Sequence, residues 1–160
     1  MEEAENALPM IEFPFSDVAA EAAASFQAPA LAQGKDFRCR IQPMLTLRGN
    51  ENAIRQLVGI LLDNALKYSP EGGTIALTAE KRNRGLRLSV RNTTAEEIRK
   101  EDLPLLFDRF YRTDPSRNSR TGGHGIGLSI AKAIVSAHGG KIQAATDDGH
   151  SLQVTAVFPL

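Results

Sequence analysis

The apolar positions of this chain repeat at two periods. From Glu51 to Tyr68, the residues Ile54, Leu57, Val58, Leu61 and Ala65 fall at i, i+3, i+4, i+7 and i+11, the stripe of a helix that buries one side. Gly49-Asn50 precede it as a cap, and Ser69-Pro70-Glu71-Gly72-Gly73 end it. A period of two takes over downstream. Thr74–Glu80 and Leu86–Arg91, joined by the polar turn Lys81–Gly85, predict a hairpin. Lys141–Thr146 and Leu152–Phe158, around Asp147-Asp148-Gly149-His150, predict a second. Ahead of that hairpin a helix is expected from about Gly125 to His138, stopped by Gly139-Gly140.

The N-terminal third is less regular. Residues 1–9 are acidic and polar, the expected junction to an upstream segment. Met10–Phe15 predicts a short strand, and Ser16-Asp17 an N-cap for one Ala-rich helix from Val18 to about Ala32, closed by Gly34. Phe37, Cys39 and Ile41 alternate with Arg38 and Arg40, so Asp36–Ile41 reads as a strand, with Leu45–Leu47 expected as its partner across a turn at Pro43. Leu103–Phe110 is a short apolar patch. Residues 111–124 have no period, and a stretch of that length inside a compact domain reads as a functional loop. The whole predicts an α/β two-layer sandwich: a mixed, mostly antiparallel sheet of about five strands with three helices on one face.

Composition narrows the function. A chain of 160 residues, 42% of them apolar, fits one domain, here residues 10–160. Nineteen Lys and Arg balance nineteen Asp and Glu, so the basic excess that a nucleic-acid partner requires is missing. No apolar run approaches the ~18 residues of a membrane span, and the opening MEEAEN is not a signal peptide. Cys39, the single cysteine, has no internal partner, in keeping with a reducing compartment. The expected unit is cytoplasmic and makes no direct membrane contact.

Three constellations carry chemistry. In LLDNALKYS, Asn64, Lys67 and Tyr68 stand at i, i+3 and i+4 and share one helix face. An amide oxygen suits a hard cation such as Mg²⁺, a lysine suits phosphate oxygens, and a tyrosine ring can lie against a base; the same three residues equally describe a polar core edge. In GGHGIGLS, glycines at alternate positions lead into a helix and leave backbone N–H groups open to an anion. A plain helix start would look similar. Neither the dinucleotide fingerprint nor the P-loop fits that spacing. Finally, FDRFYR begins a stretch, residues 107–124, in which four arginines outweigh two aspartates, giving a loop of net charge +2. It reads as a phosphate lid or as a solvated basic loop.

In this order, LLDNALKYSPEGG, a strand pair, LFDRFYRTDPSRN and GGHGIGLSIAKAIVSAHGG, the chain resembles the catalytic ATP-binding domain of bacterial sensor histidine kinases (the GHKL superfamily) over about Met10 to Phe158. The resemblance implies the family's α/β sandwich, ATP and Mg²⁺ as ligands, and roles by position. Asn64 would hold Mg²⁺, Lys67 a phosphate, and Tyr68 the adenine or sugar. Tyr111 and Arg112 would reach phosphates from the lid, with Lys67 and Arg112 as the catalytic pair. Gly123, Gly125, Gly127 and Leu128 would line the triphosphate with backbone, and Phe107 and Phe110 would hinge the lid.

Three departures stand out. The family's Asp-x-Gly-x-Gly box reads Asn92-Thr93-Thr94-Ala95-Glu96 here, so Asn92 takes the place of the aspartate that accepts from the adenine amino group. A neutral acceptor makes that bond weaker by about 1 kcal/mol. Ile60 also stands where a second Asn is common. No histidine of the three, His124, His138 and His150, occupies the phosphoacceptor context, and His138 reads as a helix end. The resemblance therefore implies two partners: a separate dimerisation and histidine phosphotransfer domain, and a response regulator. It also implies a parent receptor anchored in the inner membrane. The rival readings are a pseudo-kinase binding module and a related serine kinase or ATP-driven clamp.

Overall fold

The structure, a computed structural model, describes residues 9–108 and 126–160. In chain order its elements are β1 (Ile11–Pro14), α1 (Phe15–Ala24), α2 (Gln27–Ala32), β2 (Asp36–Ile41), β3 (Thr46–Gly49), α3 (Glu51–Tyr68), β4 (Thr74–Arg82), β5 (Gly85–Thr93), a 3₁₀ segment (Lys100–Phe107), α4 (Ile126–Ala137), β6 (Lys141–Ala145) and β7 (Ser151–Pro159). A five-stranded sheet runs β2-β4-β5-β7-β6, and β1 and β3 form a separate two-stranded sheet. The pairing β2–β4 is parallel; β4–β5, β5–β7 and β6–β7 are antiparallel. The expected mixed sandwich is observed.

Both predicted hairpins form. Arg82 pairs with Gly85, leaving Asn83-Arg84 as the turn, and Asn83 adopts φ 57°, a left-handed conformation that Asn tolerates. Along β4, β5 and β7 alternate residues turn to the helices: Ile75, Leu77 and Ala79; Leu86, Leu88 and Val90; Leu152, Val154, Ala156 and Phe158. Against them α3 lays its stripe, in which Ile54, Leu57, Val58, Leu61 and Ala65 are all buried and Leu62 and Leu66 widen it. Asn50 caps α3 as expected, its Oδ1 accepting from Ala53 N at 2.8 Å. On the opposite sheet face Ser89 and Thr155, paired in register, share a hydrogen bond of 3.1 Å.

Three expectations are corrected. The helix expected from Val18 to Ala32 is two helices, so four α-helices rather than three are found among the described residues. Pro29 is the reason: in a continuous helix its ring would clash with the carbonyl of Ser25, so the chain breaks at Ser25-Phe26 and restarts with the proline inside the first turn. Ser16 does not cap that helix. Its hydroxyl donates to Gln42 O at 2.6 Å and accepts from Leu45 N at 2.9 Å, and α1 starts at Phe15 without a side-chain cap. Those same two bonds overturn the expected pairing of Leu45–Leu47 with Asp36–Ile41. Ser16 takes up the backbone groups at the turn, Met44 swings into φ 66°, and β3 is carried across to β1, Leu47 facing Phe13. The edge of the main sheet therefore lies at β2, whose partner is β4. Pro115 and the residues around it lie outside the described residues.

Candidate nucleotide site

The candidate residues converge on one end of the sandwich. α3 runs to Tyr68, and after Ser69–Gly73 the chain enters β4 at Thr74. Ile75, one residue in, is paired with Asn92 near the end of β5, so the C-terminal turns of α3 and the end of β5 meet there. α4 packs against α3, and a Cβ on Gly127 would stand 3.8 Å from Ile60, one turn before Asn64.

Asn64 and Tyr68 are half-buried, and the Lys67 side chain is exposed with its Nζ 3.5 Å from Asp63. The Asn64 amide forms no hydrogen bond among the described residues, so a ligand atom can meet it without breaking one. The exposed pair of Lys67 with Asp63 is of the kind that contributes about 0–1 kcal/mol. Leu128 is in the core at 6% exposure, so it has only backbone to offer. Gly127 has no tight neighbour that would demand glycine there. Arg112, Tyr111, Gly123 and Gly125 lie outside the described residues.

Asn92 is the most informative member. It is 3% exposed, on the helix-facing side of β5. Its side-chain nitrogen is 2.8 Å from Thr93 O. An oxygen there would face another oxygen, so the amide orientation is fixed with Nδ2 donating. Oδ1 is then left buried, and no donor among the described residues reaches it. A buried acceptor without a partner costs about 1–3 kcal/mol unless a ligand supplies the proton.

Three contributors carried no sequence signal. Lys35 Nζ donates to Leu66 O at 2.5 Å, closing the C-terminal turn of α3 beside Lys67. Desolvation there pulls the Lys35 ammonium below its ordinary value. Thr93 Oγ1 accepts from Thr74 N at 3.1 Å and lies against Gly73, where any Cβ would meet it. Thr94 N donates to His150 O and Ile98 N to Gly149 O, so the passage after β5 is pinned to the β6–β7 turn. A lysine, a threonine and a turn glycine are common enough that only tertiary placement singles them out.

Comparison with known proteins agrees with this arrangement. Residues 49–160 match the family model described as histidine kinase-, DNA gyrase B-, and HSP90-like ATPase. The chain is 34% identical over 139 residues to the signal transduction histidine-protein kinase BaeS of Escherichia coli (strain K12), covering 87% of this chain and 30% of BaeS. It is 45% identical over 114 residues to the sensor histidine kinase YkoH of Bacillus subtilis (strain 168), covering 71% of this chain and 24% of YkoH. The chain thus spans less than a third of the length of these relatives. Among solved structures, the catalytic domain of histidine kinase ThkA superposes with a TM-score of 0.81 at 26% identity, over 94% of this chain and 95% of that one. ThkA in complex with response regulator protein TrrA superposes at 0.77 with 24% identity, over 94% of this chain and 41% of that one, a likeness of fold.

Proposed function

Because the chain belongs to the histidine kinase-, DNA gyrase B- and HSP90-like ATPase family, we propose that it is the catalytic ATP-binding domain of a sensor histidine kinase in a two-component system. It would pass the γ-phosphoryl group of Mg–ATP to a histidine on a dimerisation domain, for relay to a response regulator aspartate. The observation that carries the adenine site is Asn92: a buried carbonyl oxygen, unpaired and held by Thr93, accepts from an exocyclic amino group and repels the carbonyl that guanine carries there.

The remaining residues fit a triphosphate and its metal. Asn64 offers a neutral oxygen, a ligand type that Mg²⁺ takes, with no competing bond to break. Mg²⁺, when bound, supplies neutralisation of phosphate charge. Lys67 reaches a phosphate by leaving Asp63, Tyr68 flanks the base or sugar, and the backbone of Gly127 and Leu128 presents N–H groups at the start of α4. Arg112 and Tyr111 are the lid residues that would meet the terminal phosphates. Phosphoryl transfer asks chiefly for positioning and charge stabilisation, which this set supplies without a covalent step by the protein.

A response regulator partner is supported by the sensor-kinase relatives and by the ThkA–TrrA complex. No helix among the described residues is long and apolar enough to cross a membrane. A cytoplasmic domain attached to a membrane-anchored receptor is the setting we propose for residues 10–160, with residues 1–9 as the junction to the dimerisation domain. The test is calorimetric titration of Mg–ATP with Asn64→Ala alongside, then addition of a matched dimerisation domain. Binding lost in the variant, and an acid-labile label on the added domain, support the reading. Binding with no label favours a pseudo-kinase module, and an acid-stable label a serine kinase.

A further inference from the structure

We propose that His138 is a positioning residue: a clasp between the far ends of α3 and α4 that sets the register of one helix on the other, and with it the nucleotide site at their near ends. The inference rests on the nucleotide reading above for its functional consequence, though not for its geometry.

The imidazole is held at three points. Nδ1 is 2.8 Å from Ile134 O, one turn back in α4, and Nε2 accepts from Asn50 N at 3.0 Å. The ring also meets Phe158 of β7 edge-on, centroids 5.9 Å apart at 83°. Only one tautomer satisfies both hydrogen bonds, with the proton on Nδ1 and a lone pair on Nε2. The seat is made by Gly49: a Cβ there would lie 2.5 Å from Cδ2 of the ring and 2.8 Å from Nε2. Asn50 is the N-cap of α3 and spends its side-chain oxygen on Ala53 N. Its backbone N–H is captured by the side chain of the residue just past α4, 88 positions away.

This joint lies at the opposite end of the helix pair from the site. α4 has 12 residues and α3 has 18, about 18 and 27 Å at 1.5 Å per residue. At its other end α4 brings Gly127 beside Ile60, one turn from Asn64. Packed helices slide as rigid bodies, so a shift of α4 along α3 at His138 reappears at Gly127 and Leu128. The spacing between the backbone donors of α4 and the amide of Asn64 is therefore fixed from His138. Displacements of about 1 Å suffice to spoil a phosphoryl-transfer geometry.

The test compares the parent chain with His138→Phe, which keeps a ring and loses both hydrogen bonds, and His138→Gln, which restores an acceptor for Asn50 N. Mg–ATP affinity is measured well below the unfolding temperature, with amide hydrogen exchange at Ile130 and Ala131, the first amides of α4 bonded to carbonyls inside the helix, followed in the absence of nucleotide. Expected are a loss of roughly fivefold in affinity and faster exchange in His138→Phe, both largely recovered in His138→Gln. A lowered melting temperature with affinity and exchange unchanged makes His138 a core residue and overturns the proposal. Should the parent chain bind no Mg–ATP, the nucleotide reading fails by itself and the exchange data alone decide the clasp. Imidazole ¹⁵N shifts of the parent chain decide it even if His138→Phe does not fold: a proton on Nε2 overturns it, a proton on Nδ1 supports it.

Discussion

The backbone N–H of Asn50 donates to Nε2 of His138 across 3.0 Å, and Gly49 is the residue that lets the ring come so close. A methyl group at position 49 has no room unless the imidazole leaves. Gly49→Ala is expected to lower stability by about 1–3 kcal/mol, the usual cost of overpacking a filled site. Chemical denaturation reads it. A midpoint unchanged within error would mean that the ring swings aside freely.

Asn64 sits half-buried on α3 with its amide unsatisfied among the described residues. Removing that amide takes nothing from the fold, so Asn64→Ala should keep the parent's stability to within about 0.5 kcal/mol. Nucleotide binding should fall below detection in the same protein, and chelating Mg²⁺ from the parent should have a similar effect. Calorimetry and a thermal melt on one preparation separate the two effects. A variant that still binds Mg–ATP would remove Asn64 from the site.

The buried Oδ1 of Asn92 predicts base selectivity. Asn92→Ala should weaken ATP by about 1 kcal/mol, roughly fivefold, and narrow the preference for ATP over GTP. Competition of both nucleotides against a fluorescent analogue measures this. Equal loss for the two would show that Asn92 packs the pocket without reading the base.

Asp148, in the β6–β7 turn, accepts from the backbone N–H of His150 and from the Ser151 hydroxyl, and the His150 N–H chiefly holds its carboxyl below the ordinary 3.8. A carboxyl depressed in the folded state stabilises the protein fully above its unfolded value. That contribution fades as pH falls through the lower folded value. Asp148→Asn, which keeps an acceptor but does not titrate, should therefore trail the parent at about pH 6 and close the gap below about pH 3.8. Denaturant midpoints across that range check the sign. A gap that stays constant with pH contradicts it.

Much of this architecture is legible in the chain because the decisive signals are local. The α3 stripe, the Asn50 cap, the Asn83-Arg84 turn and the alternation of β7 each need only a few neighbouring residues. Asn64, Lys67 and Tyr68 share a helix face by spacing alone. What escaped depends on partners distant in sequence. Nothing near Leu45 tells that Ser16 will take its N–H and send β3 to β1 rather than β2. His138 reads locally as a helix end, and its bond to Asn50 appears only when α4 is laid on α3. Pro29 was the one local sign that could have divided the Ala-rich helix, since its effect falls one turn back, at Ser25.

The parallel contact between β2 and β4 has a bearing on where this unit can be cut. The family match begins at residue 49, yet the partner of β4 lies before it, from Asp36 to Ile41. A protein trimmed to the matched residues would carry β4 as a bare strand, six register positions of backbone open to any other chain, and would lose α1 from the side of α3. Exposed strand edges of that kind recruit one another into aggregates. The smallest piece that keeps β4 paired and β3 on its own partner therefore reaches back to β1, so residues ahead of the family match belong to the folded unit.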